Sequence, residues 1–236
     1  MKPLLFIKTG YAIKGIPPEL MDFEHWTMSA AGLTAAQCHT ITVIDGERLP
    51  DAGNYRGVVI SGSAAMVSDR HDWSEYTAQW LLDAMQQSTP ILGICYGHQL
   101  LAHALGGMVD YHPGGREMGT KRIHKSPAGH HDELFSQLPH SFHAHVTHMQ
   151  SVLRLPPGAE VLAWNSFEAH HAVRFAPRVW GVQFHPEFTA DAMTHYLRIR
   201  SEALAKEGQN PQQLISEVTE TVESALLLRR FAALAG

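Results

Sequence analysis

Short apolar runs alternate with amphipathic stretches through the first half of the chain. Residues 4–7 (LLFI) read as a first strand, and Pro17-Pro18 opens a helix over 19–32, since proline is tolerated in a first turn. A second strand is expected over 40–44, ended by the Asp45-Gly46 turn. A third over 57–60 runs directly into Ser61-Gly62-Ser63. A helix over 73–87, a fourth strand over 90–94 and a helix over 97–105, stopped by Gly106-Gly107, complete this half. Strands alternating with helices of this length predict an α/β fold, with a mixed, mostly parallel sheet and helices on both faces.

Beyond Gly107 the pattern shortens. Residues 108–112, 119–124, 142–147, 161–166, 170–175 and 178–184 read as short strands, the last two joined in a hairpin at Ala176-Pro177. No Gly/Ser linker separates the halves, so these strands are expected to extend the same sheet. After Phe188 the pattern turns helical. Thr189 caps one helix, and Asn210-Pro211 supplies the cap and first residue of another running to about Leu234. Leu214, Val218, Val222, Ala225 and Leu226 fall at helical spacing there, a stripe that either packs on the core or forms a subunit interface.

The composition narrows the class. Of 236 residues, 44% are hydrophobic and 17% charged, which excludes a disordered or fibrous chain. A net charge of −5 leaves no electrostatic footprint for nucleic acid. The opening MKPLLFIKTG reads as neither signal peptide nor membrane span, and no run approaches ~18 apolar residues. Two cysteines, Cys38 and Cys95, cannot build a disulfide framework, so a reducing, cytoplasmic setting without membrane contact is expected. Seventeen histidines raise the question of a metal. His130, His131, His140, His143, His145 and His148 lie close together, with His143 and His145 on one strand face. They lack a partner cysteine and their spacing matches no metal motif, so no metal or cofactor is expected.

The segment PILGICYGHQLLAHALGG carries the densest chemical signal. A buried-looking strand runs into Gly93-Ile94-Cys95-Tyr96-Gly97 and a helix follows at once, which is the G-x-nucleophile-x-G elbow pattern with cysteine as the central residue. So tight a reversal requires glycine two positions to either side, and the helix N-terminus beyond it favours a thiolate. The residue types alone leave open a buried cysteine wedged between a strand and a helix. A thiolate nucleophile needs a base, and the base needs an orienting group. Ninety residues downstream GVQFHPE places His185 and Glu187 two apart at a strand end, where a carboxylate can hold an imidazole.

The pair GICYGHQ and GVQFHPE, in this order, resembles the signature of the class I, triad-type glutamine amidotransferases. The segment VVISGS followed by MVSDRHDW is similar to the glycine-bearing oxyanion loop of stand-alone members. The resemblance spans roughly residues 1–190 and is strongest to domains like the amidotransferase domain of GMP synthetase. It implies a flavodoxin-like class I amidotransferase fold, with a catalytic domain over 1–190 and a helical extension over 191–236 packed on it. It further implies that Cys95 attacks the side-chain carbonyl of glutamine to give a glutamyl thioester. His185 then passes a proton to the departing ammonia and later activates water, and Glu187 fixes the imidazole. The backbone N–H groups of Tyr96 and Gly62 hold the oxyanion, a donor of that kind being worth ~3 kcal/mol of barrier. Gln99, one helical turn beyond Cys95, faces the substrate. Residues 146–151 align with the family loop that contacts the α-amino and α-carboxyl groups, but His148-Met149 stands where many members have His-Gly.

The function expected on this basis is hydrolysis of the γ-amide of glutamine to glutamate and ammonia. The expected partner is a separate ammonia-accepting synthase subunit, with a homo-oligomer also in view. A stand-alone γ-glutamyl hydrolase or peptidase is the alternative within the same chemistry. A catalytically idle binding or regulatory relative is the alternative outside it.

Overall fold

The computed structural model describes residues 2–236. Eleven strands and eight α-helices follow one another as β1 (Leu4–Lys8), α1 (Phe23–Ala31), β2 (Cys38–Thr42), β3 (Gly57–Ile60), α2 (Asp72–Gln86), β4 (Ile91–Ile94) and α3 (Tyr96–Ala104). Then come β5 (Met108–Tyr111), β6 (Glu117–Lys125), α4 (Pro127–His131), β7 (Ser141–His148), β8 (Gln150–Arg154), β9 (Glu160–Trp164), β10 (Ala172–Ala176) and β11 (Val179–Val182). The chain ends in α5 (Ala190–Ile199), α6 (Ser201–Lys206), α7 (Pro211–Ser216) and α8 (Val222–Leu234). Nine strands form one sheet in the order β2-β1-β3-β4-β11-β10-β9-β6-β7. It is parallel from β2 to β11 and antiparallel from β11 to β7.

Alternation along the buried strands builds two cores. Leu4 and Phe6 of β1, with Val59 of β3 and Leu92 and Ile94 of β4, pack beneath Phe23 and Trp26 of α1 and Leu227, Leu228 and Phe231 of α8. The opposite-facing Leu5, Ile7, Val58, Ile60 and Ile91 pack against Leu81 of α2 and Leu100 and Leu101 of α3. A strand covered on both faces reads as an unbroken apolar run, which is why 4–7 and 57–60 stand out in the sequence. No helix among the described residues is long and apolar enough to cross a membrane.

Several sequence expectations need correction. The helix expected over 19–32 is two pieces: a single 3-10 turn over Pro18–Leu20 ends at Met21, whose φ is 65°, and α1 begins afresh at Phe23. Asp22 forces the restart, because its carboxylate accepts from the N–H groups of Phe23 and Ala12 and from Lys8. The second strand lies two residues earlier than expected, and 43–45 form a 3-10 turn. The 108–112 segment does not join the main sheet; as β5 it pairs with β8 in a separate two-stranded sheet. The long C-terminal helix is broken between α7 and α8, and the five-residue stripe is not one face. Val222 is 66% and Leu226 44% exposed, while Ser224, Leu227, Leu228 and Phe231 turn inward. The caps at Thr189 and Asn210 form as expected, each side-chain oxygen accepting from first-turn N–H groups.

Candidate active site

The turn between β4 and α3 is built by sterics. Cys95 has φ 51° and ψ −97°, a conformation that L residues rarely adopt. A Cβ on Gly93 would fall on the carbonyl of Gly97, and one on Gly97 would lie 2.7 Å from the Ile60 carbonyl oxygen. The two glycines flanking the elbow are therefore required by backbone approach on both sides. The Cys95 N–H donates to the Val182 carbonyl at 2.7 Å, which ties the elbow to the end of β11. Its thiol, almost wholly buried, sits at the N-terminus of α3 and lies 3.8 Å from the Thr147 carbonyl oxygen.

Just past β11, His185 is pinned by its own N–H, which donates to the His145 carbonyl at 2.8 Å, and by its Nδ1, 2.6 Å from Glu187 Oε1. Phe188 lies 4.2 Å from the imidazole, centroid to centroid, and Phe23 at 6.2 Å on a near-parallel plane. His185 Nε2 is buried and makes no hydrogen bond. Burial alone would strip the ring of its proton, but the charges of Glu187 and the facing Cys95 outweigh it and raise the imidazole to about 10. The imidazole thus has the Glu187 carboxylate on one side and the Cys95 sulfur on the other, and both raise it.

The loop after β3 closes the third side. A Cβ on Gly62 would lie 2.9 Å from His185 Cε1 and 3.7 Å from Cys95 Cβ, so both side chains converge on this glycine. Thr9 fixes the loop: its hydroxyl donates to the Ser61 and Gly62 carbonyls at 3.0 and 3.1 Å, and its N–H to Ser61 Oγ at 3.0 Å. The N–H groups of Gly62 and Tyr96 donate to no acceptor among the described residues. The Tyr96 hydroxyl itself is turned away, buried against Ser74 Oγ at 2.6 Å. Lys8, buried between Asp22 and Glu24 at 2.8 Å each, anchors the start of α1 and with it Phe23.

A cavity of about 260 Å³ opens above Cys95, lined among others by Ser63, Gln99, His148, His185, Tyr196 and Arg200. Gln99 reaches this wall, yet its amide nitrogen is engaged by the Gln150 carbonyl at 2.7 Å and by Gln183 Oε1 at 2.9 Å, leaving only its oxygen free. His148 is a buried strut. Its Nε2 lies 3.0 Å from Glu117 Oε2, its Nδ1 3.0 Å from the Gln150 carbonyl, and Asn165 donates to Glu117 Oε1 at 2.7 Å. Burial would raise the Glu117 carboxyl, but His148 and His171 hold it well below the usual carboxylate range. Met149, beside it, touches the guanidinium of Arg116, which is clamped to Glu207 at 2.9 Å. Arg200 has no carboxylate partner among the described residues. The histidine-rich stretch disperses: His130 and His140 stack at the surface, His143 is exposed, and His145 is buried beneath Thr120.

Of the residues expected from the sequence, Cys95, Tyr96, Gln99 and His185 line the cavity, Gly62 lies against His185 and Cys95, and Glu187 stands behind the imidazole at 2.6 Å. Sequence reasoning missed Thr9, Phe23, Arg116, Glu117, Phe188 and Arg200. Only Phe188 carried a usable signal, since it directly follows the HPE segment.

Comparison with known proteins bears on the family and the fold. The chain is 36% identical over 184 residues to a GMP synthase (glutamine-hydrolysing) of Aeropyrum pernix, covering 75% of this chain and 33% of that protein. It is 30% identical over 174 residues to γ-glutamyl peptidase 5 of Arabidopsis thaliana, covering 70% and 68%. The chain thus spans about a third of that GMP synthase and about two thirds of the peptidase. In fold it superimposes on a glutamine amidotransferase from Thermotoga maritima with a TM-score of 0.78 at 19% identity, over 100% of this chain and 98% of that one. The family model for class-I glutamine amidotransferases matches residues 23–201, a span that holds the elbow, the HPE segment and the sheet between them, and the chain belongs to that family.

Proposed function

We propose that the protein cleaves the γ-glutamyl C–N bond of glutamine through a covalent thioester on Cys95. The observation that carries the reading is the convergence on Gly62 of a thiol at a strained helix N-terminus and an imidazole whose Nε2 is buried and unpartnered. The Cys95 thiolate adds to the side-chain carbonyl carbon, and the negative charge moves to the oxygen, held by the N–H groups of Gly62 and Tyr96. As the C–N bond breaks, the proton of His185 Nε2 passes to the nitrogen, which leaves as ammonia. Water then gives a proton back to His185 while its oxygen attacks the thioester. The C–S bond breaks, glutamate departs and the thiolate–imidazolium pair is restored. Glu187 keeps the ring in the orientation and charge state that both half-reactions need. Arg200, the uncommitted cation of the cavity wall, answers the substrate α-carboxylate.

The similarity to GMP synthases supports a separate synthase polypeptide that accepts the ammonia, since the relative from Methanocaldococcus jannaschii is named as one subunit of that enzyme. A second reading keeps the same chemistry but releases an amino acid or peptide amine. Similarity to γ-glutamyl peptidase 5 and the larger cavity beside the site favour it. The test is glutamate release from glutamine and, separately, from γ-glutamyl peptides, against Cys95→Ala. Turnover lost in that variant supports the thioester route. A Cys95→Ala protein that still releases glutamate refutes it.

A further inference from the structure

Strands β6 and β9 are paired only where His124 meets Trp164 and Lys125 meets Ala163, although β6 pairs with β7 along nearly its whole length. Before His124 this edge of β6 has no strand partner, because β9 ends at Trp164. The gap is an open chamber of about 1040 Å³, floored by β6 and walled by Trp164 at the end of β9, by the 165–167 segment, and by Glu207 and Gln209 beyond α6. It lies directly beside the 260 Å³ cavity, and Arg116 and Met149 line both. Their contact, Arg116 Nη2 to Met149 Sδ at 3.0 Å, is the partition between them.

The charge of this chamber is one-sided once internal pairs are removed. Glu117 is engaged by His148 and Asn165, and Glu207 by Arg116. That leaves Lys121, half-buried, and Arg122, exposed, with no ion pair among the described residues. Trp164, 44% exposed, and Phe167 supply apolar wall. A site with uncompensated cations and half-covered aromatics suits a carboxylate-bearing organic ligand. The inner cavity is smaller than the ~300–1,000 Å³ usual for a ligand pocket and suits the glutamyl half of a substrate alone. Whatever is bonded to the glutamyl nitrogen must lie outside it.

We infer that the chamber between β6 and the 164–167 loop is a leaving-group subsite, in which Lys121 and Arg122 bind the carboxylates of a γ-glutamyl amino acid or peptide whose scissile bond lies at Cys95. This rests on the reading of Cys95 as a γ-glutamyl nucleophile and assigns it a substrate class. The amine released is an anionic amino acid or peptide, which takes the His185 proton in place of ammonia. Arg116 and Met149 form the threshold it crosses.

Binding and turnover separate the two claims. Cys95→Ser protein is titrated calorimetrically with γ-glutamylglutamate and with γ-glutamylmethylamide, which share the glutamyl half and differ only in the leaving group. Binding of the dicarboxylate leaving group is expected to be about tenfold tighter or more, from charge-assisted contacts. Adding Lys121→Met/Arg122→Met should remove that preference. The preference should also shrink in the unmodified chamber at high salt, where the Debye length falls to about 3 Å at 1 M. Equal binding of the two compounds, or a preference indifferent to both the charge removal and salt, overturns the subsite. If the preference is present but wild-type protein hydrolyses neither compound, the subsite stands and the catalytic reading falls. Hydrolysis of both at equal kcat/KM with equal binding does the reverse.

Discussion

Gly62→Ala isolates positioning from hydrogen bonding, because alanine keeps the N–H that the proposed mechanism offers to the oxyanion. Gly62 is not in the left-handed region, so the methyl group is excluded by its neighbours rather than by the backbone. The new Cβ would stand 2.9 Å from His185 Cε1, whereas ordinary contact begins near 3.4 Å, so something must yield by half an ångström or more. The imidazole has nowhere to go. Phe188 lies 4.2 Å away on one side, Nδ1 is held 2.6 Å from Glu187, and the backbone N–H is bonded to His145 at 2.8 Å. The loop is equally constrained by the Thr9 hydroxyl at 3.1 Å from the Gly62 carbonyl. Overpacking of this kind costs about 1–3 kcal/mol, which for a chain of this size lowers Tm by roughly 2–12 °C. Misplacing a reacting group by ~1 Å costs about a hundredfold in rate, so a shift of about half that predicts a kcat loss of ~10- to 100-fold. Steady-state glutamate release and thermal denaturation measure the two. A Gly62→Ala protein with wild-type kcat and Tm would refute the claim that this glycine exists to admit His185.

Glu187→Gln removes the larger of the two charges that together outweigh burial at His185, so the imidazole holds its proton less firmly and supports a Cys95 thiolate less. The pH midpoint of Cys95 alkylation by iodoacetamide should move upward, and an unmoved midpoint refutes the coupling. Because the folded His185 is raised to about 10 from an unfolded 6.5, its stabilisation is complete below about pH 6.5 and lost as pH rises through 10. Denaturant titrations of Cys95→Ala should keep part of that alkaline loss, and adding Glu187→Gln should abolish it. Gly93→Ala drives a methyl into the Gly97 carbonyl, backbone against backbone, and is expected to cost about 3 kcal/mol or more, read as a lost or sharply lowered unfolding transition. Arg200→Ala should raise KM about tenfold with kcat nearly unchanged, since a half-buried charge contact to substrate is lost equally from ground and transition states.

How far the fold was legible follows from where each segment's information sits. Strands β1, β3 and β4 are buried on both faces, so their apolar runs announce them without reference to anything else. The break at Met21–Asp22 is different. Nothing in the run PPELMDFEHW stops a helix at Met21; what stops it is Lys8 and the Ala12 N–H drawing on the Asp22 carboxylate from another part of the chain. Strand β8 was hidden because only Met149 separates it from β7, and two strands belonging to different sheets read as one polar-apolar stretch. The stripe through Leu214 and Leu226 failed because periodicity was carried across residues 217–221, where the helix is interrupted and its phase is lost.

The site divides along the same line. An elbow is a local object. Glycines at 93 and 97 are demanded by atoms within four residues of each other and by the neighbouring strand, and a histidine and its carboxylate fit within three residues of one loop. Such chemistry can be read from short strings. The residues that choose what the chemistry acts on cannot. Glu117 becomes a strut only because β7 and the 165–171 loop bring His148, Asn165 and His171 to it, and Arg116 becomes a partition only through Glu207, ninety-one positions away. Each of these is, in sequence, an ordinary charged residue in a polar stretch. The residues proposed for cleavage are therefore written in two motifs, and the subsite proposed for the leaving group is written in the space beside β6 beyond the end of β9, a feature of sheet geometry that no local pattern encodes. Members sharing the two motifs are accordingly expected to part company in substrate wherever that gap changes its charge.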